Sequence, residues 1–529
     1  MPTPLSLPLP SLYNFVPLAD QVFFPPWWPQ VSHDVPFREG LCGSFTIEAE
    51  AMTPIYVRAK GNWQYLKKKA TPEDFQPPPD DYTDFFKLPD DTYAIPDTSV
   101  KGVIRAVLEI ASFGKLERID AGKRPAGKDG DSLGYLRGNT QNDSGWDYSL
   151  DLAETIFGRV KGRDAGRGRV AFDSLRALES PQPLSFQRIV LGQPKGKYAP
   201  TYLKQTITDA STGHVAGGLT TYGKSSASLR GWKRYPVPQD GKLRDVPDPP
   251  PLDPNVLGSP PRWDLASHFR PLPPETRFDG QVRIHNLLPV ELGALVWVLE
   301  WGGDERGRKC WHNLGLAKPY GFGCVRCTVI RNNVFHLADR NAAVDLAACR
   351  AKFEQCMDHF TGEVFGKKWS DTPQLRTLLD MADPTLPLPG SMEARYPRYS
   401  NDENKNEFQR YAQGQYALLP YGDPTLRSPE EVSPTLAGPP SSDVRVTPPP
   451  EPPKPLPELT GQIAQVSFLR REGNDLIFRL KHEKEPFDAW LRKPQHPRFC
   501  GEIKQGAAFK LQVIGTEGNA YILSEVQSP

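Results

Sequence analysis

The chain has 529 residues, of which 38% are hydrophobic and 24% charged, and this predicts two or three domains with a sizeable core. The net charge of +1 excludes a uniformly basic nucleic-acid-binding protein, so a polyanion site has to be built from local clusters of cations. Seven widely spaced cysteines argue against a disulfide framework and predict a reducing compartment.

The sequence carries no pattern that predicts secretion or a membrane span. A signal peptide needs a charged segment followed by an apolar one, and the N-terminus has neither. The longest apolar run, residues 290–301, is too short to cross a bilayer and contains Glu291. We therefore expect a cytoplasmic protein with no membrane partner.

Proline and aromatic residues dominate residues 1–40, which we interpret as an extended N-terminal arm. Directly after the arm, Phe45, Ile47 and Ala49 alternate with polar residues, and this period of two predicts a strand with one solvated face. The strand opens a main domain that we place at residues 41–335.

A helix is predicted to begin near Asp97, a candidate N-cap, and to end near Gly114, a candidate C′ residue. One apolar stripe recurs between them at helical spacing: Val100, Val103, Ile104, Val107, Leu108 and Ala111. A helix N-terminus presents unpaired N–H groups and can hold a phosphate, and Thr98, Ser99 and Lys101 would add donors. The alternative is an ordinary capped amphipathic helix.

The rest of the main domain supplies further strands and a second helix. A strand is predicted at 168–175, a long insertion at 180–275, and another strand from Phe278. Pro289 then opens an apolar helix, and 324–330 is the last strand. The order strand, helix, strand, strand, helix, strand predicts an α+β fold of the ferredoxin-like (RRM-like) class with one open sheet face.

Three segments follow the main domain. Residues 336–423 are interpreted as a helical extension, and residues 424–457 as an extended linker rich in Pro, Ser and Glu. Five short strand candidates within residues 458–529 predict a small, OB-like β-barrel.

A glycine-rich loop, residues 314–323, precedes the last strand of the main domain. Its glycines allow close backbone approach to a ligand, its lysine supplies charge, and its two aromatic rings could stack on bases. The alternative is a tight turn that enters a strand. The candidate RNA-binding residues of the loop are Lys318, Tyr320, Gly321, Phe322 and Gly323.

Two basic segments, 158–169 and 223–235, are the other candidate contacts with a polyanion. The second has four basic residues, two aromatic residues and no acid. Such interleaving suits single-stranded RNA, because the charges follow the backbone while the rings stack on bases. The alternative is a solvated loop. The candidate residues are Lys161, Arg169, Lys224, Arg230, Trp232, Lys233 and Arg234.

A zinc site has to be considered because Cys310, His312, Cys324 and Cys327 lie close in sequence. The Cys-x-x-Cys pair, however, falls in a predicted strand, where residues i and i+3 point to opposite faces. We therefore predict buried free thiols and no metal site.

The acidic loop after the first strand offers a catalytic alternative. Asp81 or Asp84 could bind Mg²⁺ or help to activate a 2′-hydroxyl for RNA cleavage, whereas the other interpretation is a solvated linker. His33 and His285 are the remaining candidates for proton transfer, although an isolated histidine is more often structural.

Taken together, these motifs resemble those of the RAMP superfamily of CRISPR-associated proteins. Residues 95–105 are similar to a helix opening I-P-G-S-S-x-K-G-x-x-R, a similarity that adds Arg105 to the candidate RNA contacts. The L-F-G and G-x-x-x-F elements are similar to residues 156–158 and 168–172, and L-G-x-x-K-x-x-G-x-G to residues 314–323. The segments YNFVPL, LRGWKRYP and NLLPVELGAL resemble a long subfamily linked to type III CRISPR systems.

This resemblance implies a backbone-type subunit that lines up along a guide RNA and carries a thumb-like insertion. Some such subunits cleave target RNA through an aspartate after the first strand, and Asp81 or Asp84 best matches its position.

Three hypotheses stay open. The chain is a scaffold for guide RNA whose partners are target RNA and other effector subunits, or an endoribonuclease that uses Mg²⁺ or a histidine. The third is a protein-interaction adaptor that uses the arm, linker and barrel.

Overall fold

The computed structural model describes the chain in separate stretches. These are residues 5, 8–59, 83–116, 149–161, 164–191, 196, 198–222, 224, 227–247, 266–303, 309–400, 402, 404–422, 463–472, 475–482, 485–491, 508–517 and 520–524. The predicted linker 424–457 lies outside them. Two compact units, Met1–Thr435 and Leu436–Pro529, divide the chain. Within the described residues, no helix combines the length and apolarity that a membrane span requires.

The first unit is a mixed α/β structure. Its described helices are α1 Asp97–Ala111, α2 Leu152–Phe157, α3 Ala199–Tyr202, α4 Pro289–Glu300, α5 Leu346–Phe365, α6 Pro373–Ala382 and α7 Glu407–Gln413. Its described strands are β1 Asn14–Pro17, β2 Leu41–Ala51, β3 Ala94–Ile95, β4 Gly158–Lys161, β5 Asp164–Arg167, β6 Val170–Phe172, β7 Leu175–Ala177, β8 Gln187–Val190, β9 Gly231–Arg234, β10 Ala266–Phe269, β11 Arg277–Leu287, β12 His312–Asn313 and β13 Cys324–His336.

An antiparallel sheet of seven strands organises this unit. Its order is β12-β13-β2-β11-β7-β3, and β6 also pairs with β11. The first predicted strand, β2, therefore lies between the two strands that come from the second half of the domain. Its register with β11 aligns Ala49 with Phe278, and its register with β13 aligns Ala49 with Cys327.

The two faces of this sheet differ as the alternation in the sequence predicts. Phe45, Ile47 and Phe278 are buried against the helices, which places the apolar set of each strand on one side. The polar set lies on the other side, where Arg326 forms an ion pair of 2.5 Å with Glu50. Positive charge on the open face is thus at least partly balanced within the sheet itself.

The ends of α1 differ from the prediction by one or two residues. Pro96 is the N-cap and Asp97 is the first helical residue, so the expected Asp97 cap is wrong. At the other end Phe113 adopts a left-handed φ of 53° at C′. Gly114 lies one residue further on and donates its N–H to Glu109 O at 2.6 Å, as in a Schellman motif.

The helices that follow β13 are part of the main hydrophobic core. Phe353 of α5 and Trp369 are buried together with Trp297 of α4, and Trp369 Nε1 donates to Ala111 O at 2.9 Å. The indole thus connects α1, α4 and α5. The segment interpreted as an extension completes the layer that covers the sheet.

We expect Gly293→Ala to destabilise the first unit by about 1–3 kcal/mol, since overpacking costs that much. A Cβ at Gly293 would collide with the carbonyl group of Cys349 where α4 crosses α5. Gly362 in α5 is the matched control, because a Cβ there meets nothing within 4 Å. Gly362→Ala should stabilise the protein by up to about 1 kcal/mol through helix propensity. Urea unfolding measures both, and a shift of the same sign in both variants would contradict the close approach.

The second unit contains a closed five-stranded barrel. Its strands are β14 Ile463–Glu472, β15 Asp475–His482, β16 Glu485–Leu491, β17 Ala508–Glu517 and β18 Ala520–Ser524. The order β14-β15-β16-β18-β17 is closed by pairing of β17 with β14, and β16 runs parallel to β18. Closure leaves this sheet without a free edge.

Candidate nucleic-acid interface

Two sequence motifs that are far apart along the chain meet in the structure. Strand β9, from the second basic segment, pairs with β1 of the N-terminal arm. Just after β9, Tyr235 O accepts a hydrogen bond of 2.7 Å from Asn313 Nδ2, next to the glycine-rich loop. Arg244 donates its backbone N–H to Tyr320 O at 3.0 Å and its Nη1 to Pro319 O at 3.0 Å. The basic segment and the glycine-rich loop therefore form one region.

Four cations occupy this region, and we call them the cation group: Arg230, Lys233, Arg234 and Lys318. Burial lowers the pKa of Arg230 and of Arg234 to about 10. Burial lowers the pKa of Lys318 as well, and the nearby charge of Arg234 lowers it further. Among the described residues, no carboxylate forms an ion pair with any of the four side chains, and Arg230 Nη1 is buried with no hydrogen-bond partner.

Lys233 is surrounded by aromatic rings. Its Nζ lies 3.7 Å from the ring centroid of Tyr13, 5.4 Å from that of Tyr202 and 5.3 Å from that of Tyr235. It also donates to the Tyr202 hydroxyl at 3.0 Å. Burial lowers the pKa of Lys233 to about 8. The rings offset part of the cost of burying this charge through cation–π attraction.

The energetics of the cation group favour an anionic ligand. Removing a charged side chain from water is costly unless an opposite charge or hydrogen bonds compensate it. Here the described protein supplies aromatic faces and further positive charge but no carboxylate partner. A phosphate group would supply the missing negative charge and acceptor oxygens, and arginine is well suited to bind it.

The glycine-rich loop is packed more tightly than the sequence suggests. Tyr320 is 2% exposed and Phe322 is 3% exposed, and the Phe322 ring packs edge-on against Phe269 at 5.6 Å. Gly321 donates its N–H to Lys318 O at 3.0 Å and Gly323 donates to Pro54 O at 2.9 Å. The two rings and two glycines thus pack inside the fold, and their direct contact with RNA stays a prediction. They shape the loop that presents Lys318.

Positive φ angles explain the glycines of the loop. Gly321 has φ +90° and Gly323 has φ +73°, and a Cβ at Gly323 would collide with Leu314 O. The close backbone approach that the sequence predicts is therefore made to the chain itself and not to a ligand.

His312 is a buried imidazole directly before this loop. Its Nε2 donates to Leu299 O at 3.1 Å and its ring stacks on Trp301 at 4.7 Å, while Nδ1 is buried without a partner among the described residues. Burial lowers its pKa to about 4, and the charge of Arg234 adds to that shift. The side chain is therefore neutral at physiological pH, and its contacts with Leu299 and Trp301 lie inside the fold.

We expect the protein to lose stability between pH 6.5 and about 4 through His312. The histidine is protonated more readily in the unfolded chain, so its stabilising effect is complete above pH 6.5 and falls as pH decreases. A shift of this size corresponds to about 3 kcal/mol. His312→Asn should flatten the pH dependence of the unfolding free energy in this window. The exposed His359 provides a control, since His359→Asn should leave the dependence unchanged.

Arg169 is the largest departure from the predicted RNA contacts. Its side chain is fully buried and forms an ion pair with Glu291, whose side chain is also fully buried. The guanidinium donates further to Thr155 O at 2.9 Å and to Asn286 O at 2.5 Å. The prediction that Arg169 binds RNA is corrected, because every one of these partners lies inside the fold.

The start of α1 remains accessible. Thr98 is exposed, and Ser99 and Lys101 are half-buried. Arg105, in contrast, forms an ion pair with Glu109, with 2.8 Å between Nε and Oε1. Its Nη1 also donates a hydrogen bond of 2.8 Å to Gly158 O, at the start of β4. Arg105 therefore serves to fasten the helix to the basic hairpin β4–β5.

The start of α1 follows β3, at one edge of the sheet, whereas the glycine-rich loop lies between β12 and β13, at the other edge. Leu316 N donates to Tyr56 O at 2.9 Å, and the Tyr56 ring packs against Phe85 at 6.2 Å. Phe86 O in turn accepts from Ala94 N at 3.0 Å, two residues before the N-cap of α1. Two backbone segments thus separate the two predicted sites.

The remaining predicted RNA contacts differ in exposure. Lys224 is exposed, whereas Trp232 is half-buried and packs against the main core opposite Val16 of β1. Lys161 lies in β4, but its side chain is outside the described part of the structure.

The candidate catalytic aspartates receive little support. Asp81 lies outside the described residues. Asp84 forms an ion pair of 3.1 Å with Lys87 and accepts a hydrogen bond of 2.9 Å from Phe85 N. Its charge is therefore engaged within its own loop.

The burial of the three thiols near the loop is confirmed. Cys310, Cys324 and Cys327 are free and buried, and burial raises the pKa of Cys324 and of Cys327 to about 12. Cys324 Sγ faces Gly321 O at 3.5 Å, whereas His312 faces Leu299. Within the described ranges, no group of three or more His, Cys, Asp or Glu side chains is arranged to hold a metal ion.

Residues 48–228 match the RAMP superfamily. The chain carries a RAMP superfamily region. This RAMP region contains α1, the hairpin β4–β5 and Lys224, and it ends before β9 and the glycine-rich loop. Three cations of the group therefore come from just beyond its end, and the fourth, Lys318, from the second half of the domain.

Solved structures match the chain as well. No curated protein matches the chain. A chain of a Type IV-B CRISPR complex matches it at 16% identity with a TM-score of 0.24. The match covers 58% of this chain and 96% of that chain. The assignment of the RAMP region depends on the family match over residues 48–228 and not on this structure.

Proposed function

We propose that this protein is an RNA-binding subunit of a CRISPR effector ribonucleoprotein and holds guide RNA for recognition of target RNA. The observation that carries the proposal is the cation group, which joins β9 to the glycine-rich loop without a carboxylate partner among the described residues. The RAMP region supports the same proposal, since the family match includes three of the motif segments, residues 95–105, 156–158 and 168–172.

The proposed contacts fall into two sets. Lys318, Arg234 and Arg230 bind phosphates from partly buried positions, where electrostatic attraction is stronger than in open water. Thr98, Ser99 and Lys101 add phosphate contacts at the start of α1. Lys233 and the exposed Lys224 belong to the same proposal. These contacts position the RNA backbone, and sequence specificity comes from base pairing between guide and target.

Two finer assignments of fold accompany this proposal. The order β13-β2-β11-β7 with two covering helices supports a ferredoxin-like fold for the sheet of the main domain. The five-stranded closed order of the barrel supports an OB-like fold for the C-terminal unit, a fold that binds oligonucleotides in other proteins. A backbone role in a type III complex belongs to the proposal and rests on the motif resemblance.

Sequencing the nucleic acid that co-purifies with the chain from its native host tests this function. We expect RNA enriched in processed CRISPR guides, sensitive to ribonuclease and resistant to deoxyribonuclease. The double variant Arg234→Ala, Lys318→Ala is the matched control and should retain little RNA. Recovery of the wild-type protein free of nucleic acid, or bound to DNA alone, would overturn the proposal.

A further inference from the structure

A cysteine and a histidine face each other on the open side of the sheet. Cys42 of β2 and His285 of β11 lie on neighbouring strands, and Cys42 Sγ is 3.7 Å from His285 Nδ1. This is within hydrogen-bond range for sulfur. The pair lies apart from the cation group, at the opposite end of β2 from the glycine-rich loop.

Hydrogen-bond chemistry fixes which nitrogen of His285 carries the proton. Nε2 lies 3.2 Å from the carbonyl oxygen of His33, and a carbonyl can only accept. Nε2 must therefore be the donor, and in the neutral ring Nδ1 is the free acceptor that faces the thiol. His285, the base of the pair, is thus oriented by the backbone carbonyl of His33, which does not titrate.

Two further contacts surround the pair. Asn286 donates its backbone N–H to Cys42 Sγ at 3.2 Å. The His33 ring stacks on the His285 ring at 5.6 Å with an interplanar angle of 8°. Transfer of the thiol proton to Nδ1 would leave a thiolate that receives hydrogen bonds from both the imidazolium and Asn286.

The surroundings of Cys42 restrict the size of a reagent. Cys42 is 9% exposed and lies beside residues 32–37, a strap that Asn286 holds through Nδ2 contacts to Ser32 O at 3.1 Å and Val35 O at 3.2 Å. His33 and Val35 of the strap are themselves exposed. Small reagents that pass the strap are therefore the compatible class.

Cys356 and Cys349 offer a comparison within the described residues. Cys356 is more exposed than Cys42, yet burial raises its pKa to about 11. Cys349 is buried, and its pKa is raised to about 11 for the same reason. Exposure alone thus ranks Cys356 first in reactivity, whereas the geometry around the sulfur ranks Cys42 first.

We propose that Cys42 and His285 form a reactive thiol–imidazole pair that takes low-mass disulfides into a mixed disulfide. His285 Nδ1 accepts the thiol proton, and the thiolate attacks one sulfur of the disulfide. A new S–S bond forms to Cys42, the original S–S bond breaks, and the second sulfur leaves as a thiolate with the electron pair. The disulfide is the oxidant, so the step balances without another reactant. This inference is independent of RNA binding.

The test is the rate at which each cysteine of the full-length protein reacts with 2-hydroxyethyl disulfide, a low-mass disulfide. Peptide mass spectrometry resolves all cysteines in one native sample. We expect Cys42 to react about tenfold faster than Cys356, because Cys42 Sγ faces the Nδ1 acceptor of His285 and the backbone N–H of Asn286. A faster reaction at Cys356 in the wild-type protein would overturn the proposal, and this comparison needs no variant.

Two variants assign the effect to the imidazole. His285→Gln should slow the reaction of Cys42 about tenfold, because the free Nδ1 acceptor is lost. His359→Gln replaces an exposed histidine of α5 and should leave the rate close to that of the wild type. Thermal unfolding of both variants checks that each is folded. An unchanged Cys42 rate in folded His285→Gln would overturn the role of His285.

Discussion

Replacing Arg234 and Lys318 together with alanine should lower the affinity for single-stranded RNA about a hundredfold at physiological salt. Both side chains are partly buried, and neither has a carboxylate partner among the described residues, so each should gain most from a phosphate. The slope of log K against log salt should fall by about 1.4, since each lost phosphate contact on a single strand removes about 0.7. Fluorescence anisotropy over a salt series measures both quantities.

A charge-matched control separates site binding from net charge. Arg376 forms an ion pair of 2.8 Å with Asp371, and Lys405 forms one of 3.4 Å with Asp402. Replacing these two cations with alanine removes the same formal charge but only cations that are already compensated. We expect a small loss of affinity. A loss equal to that of Arg234→Ala, Lys318→Ala would show that the cation group has no special role.

The same double variant has an informative effect on stability. If Arg234 and Lys318 were structural, their removal would destabilise the first unit. Because the described protein supplies them with no carboxylate, we expect the unfolding free energy of the RNA-free protein to stay unchanged or to rise.

The second large effect concerns the buried ion pair of Arg169 and Glu291. Glu291→Ala should destabilise the first unit by about 3–5 kcal/mol, because it leaves a fully buried guanidinium without its counter-charge. The carboxylate also accepts from Trp27 Nε1 at 3.1 Å and from Leu288 N at 2.9 Å. Urea unfolding followed by tryptophan fluorescence measures the change.

An apolar replacement of both partners provides the control for this prediction. The double variant Arg169→Met, Glu291→Leu removes both charges at once and should be less destabilised than Glu291→Ala, because no charge is left unpaired. If the double variant were the less stable of the two, the cost would come from lost packing and not from an uncompensated charge.

Local patterns predicted the parts of the fold that depend on neighbours in sequence. Alternation in β2 and β11 identified the buried face of each strand, since strand side chains alternate between the two faces. The apolar stripe of α1 likewise identified its buried face, including Val100 and Ile104. The caps of α1 were misplaced, because one or two residues at a helix end carry a weak signal.

Contacts between distant segments could not be predicted in this way. Arg169 stands in a basic run and so looks exposed, yet its partner Glu291 lies in an apolar run on another element. Glu291 is a single acid in an apolar run, and this pattern could have predicted a buried counter-charge. Tyr320 and Phe322 looked like stacking platforms, because an aromatic ring in a glycine-rich loop suits a base and a core equally well.

The cation group illustrates the same limit for the candidate site. The sequence identified Arg234 and Lys318 separately, but their proximity depends on the pairing of β9 with β1 and on the path of the loop. The tyrosine rings around Lys233 come from three segments, and Tyr13 belongs to the arm. No spacing in the sequence encodes such a convergence.

Photochemical crosslinking of bound RNA, with the crosslinked peptides identified by mass spectrometry, tests the central claim most directly. We expect crosslinks in the peptides that contain residues 230–235 and 314–323, and their loss in Arg234→Ala, Lys318→Ala. Crosslinks confined to the barrel or to the ion-paired open face of the sheet, with none in these two segments, would contradict the account.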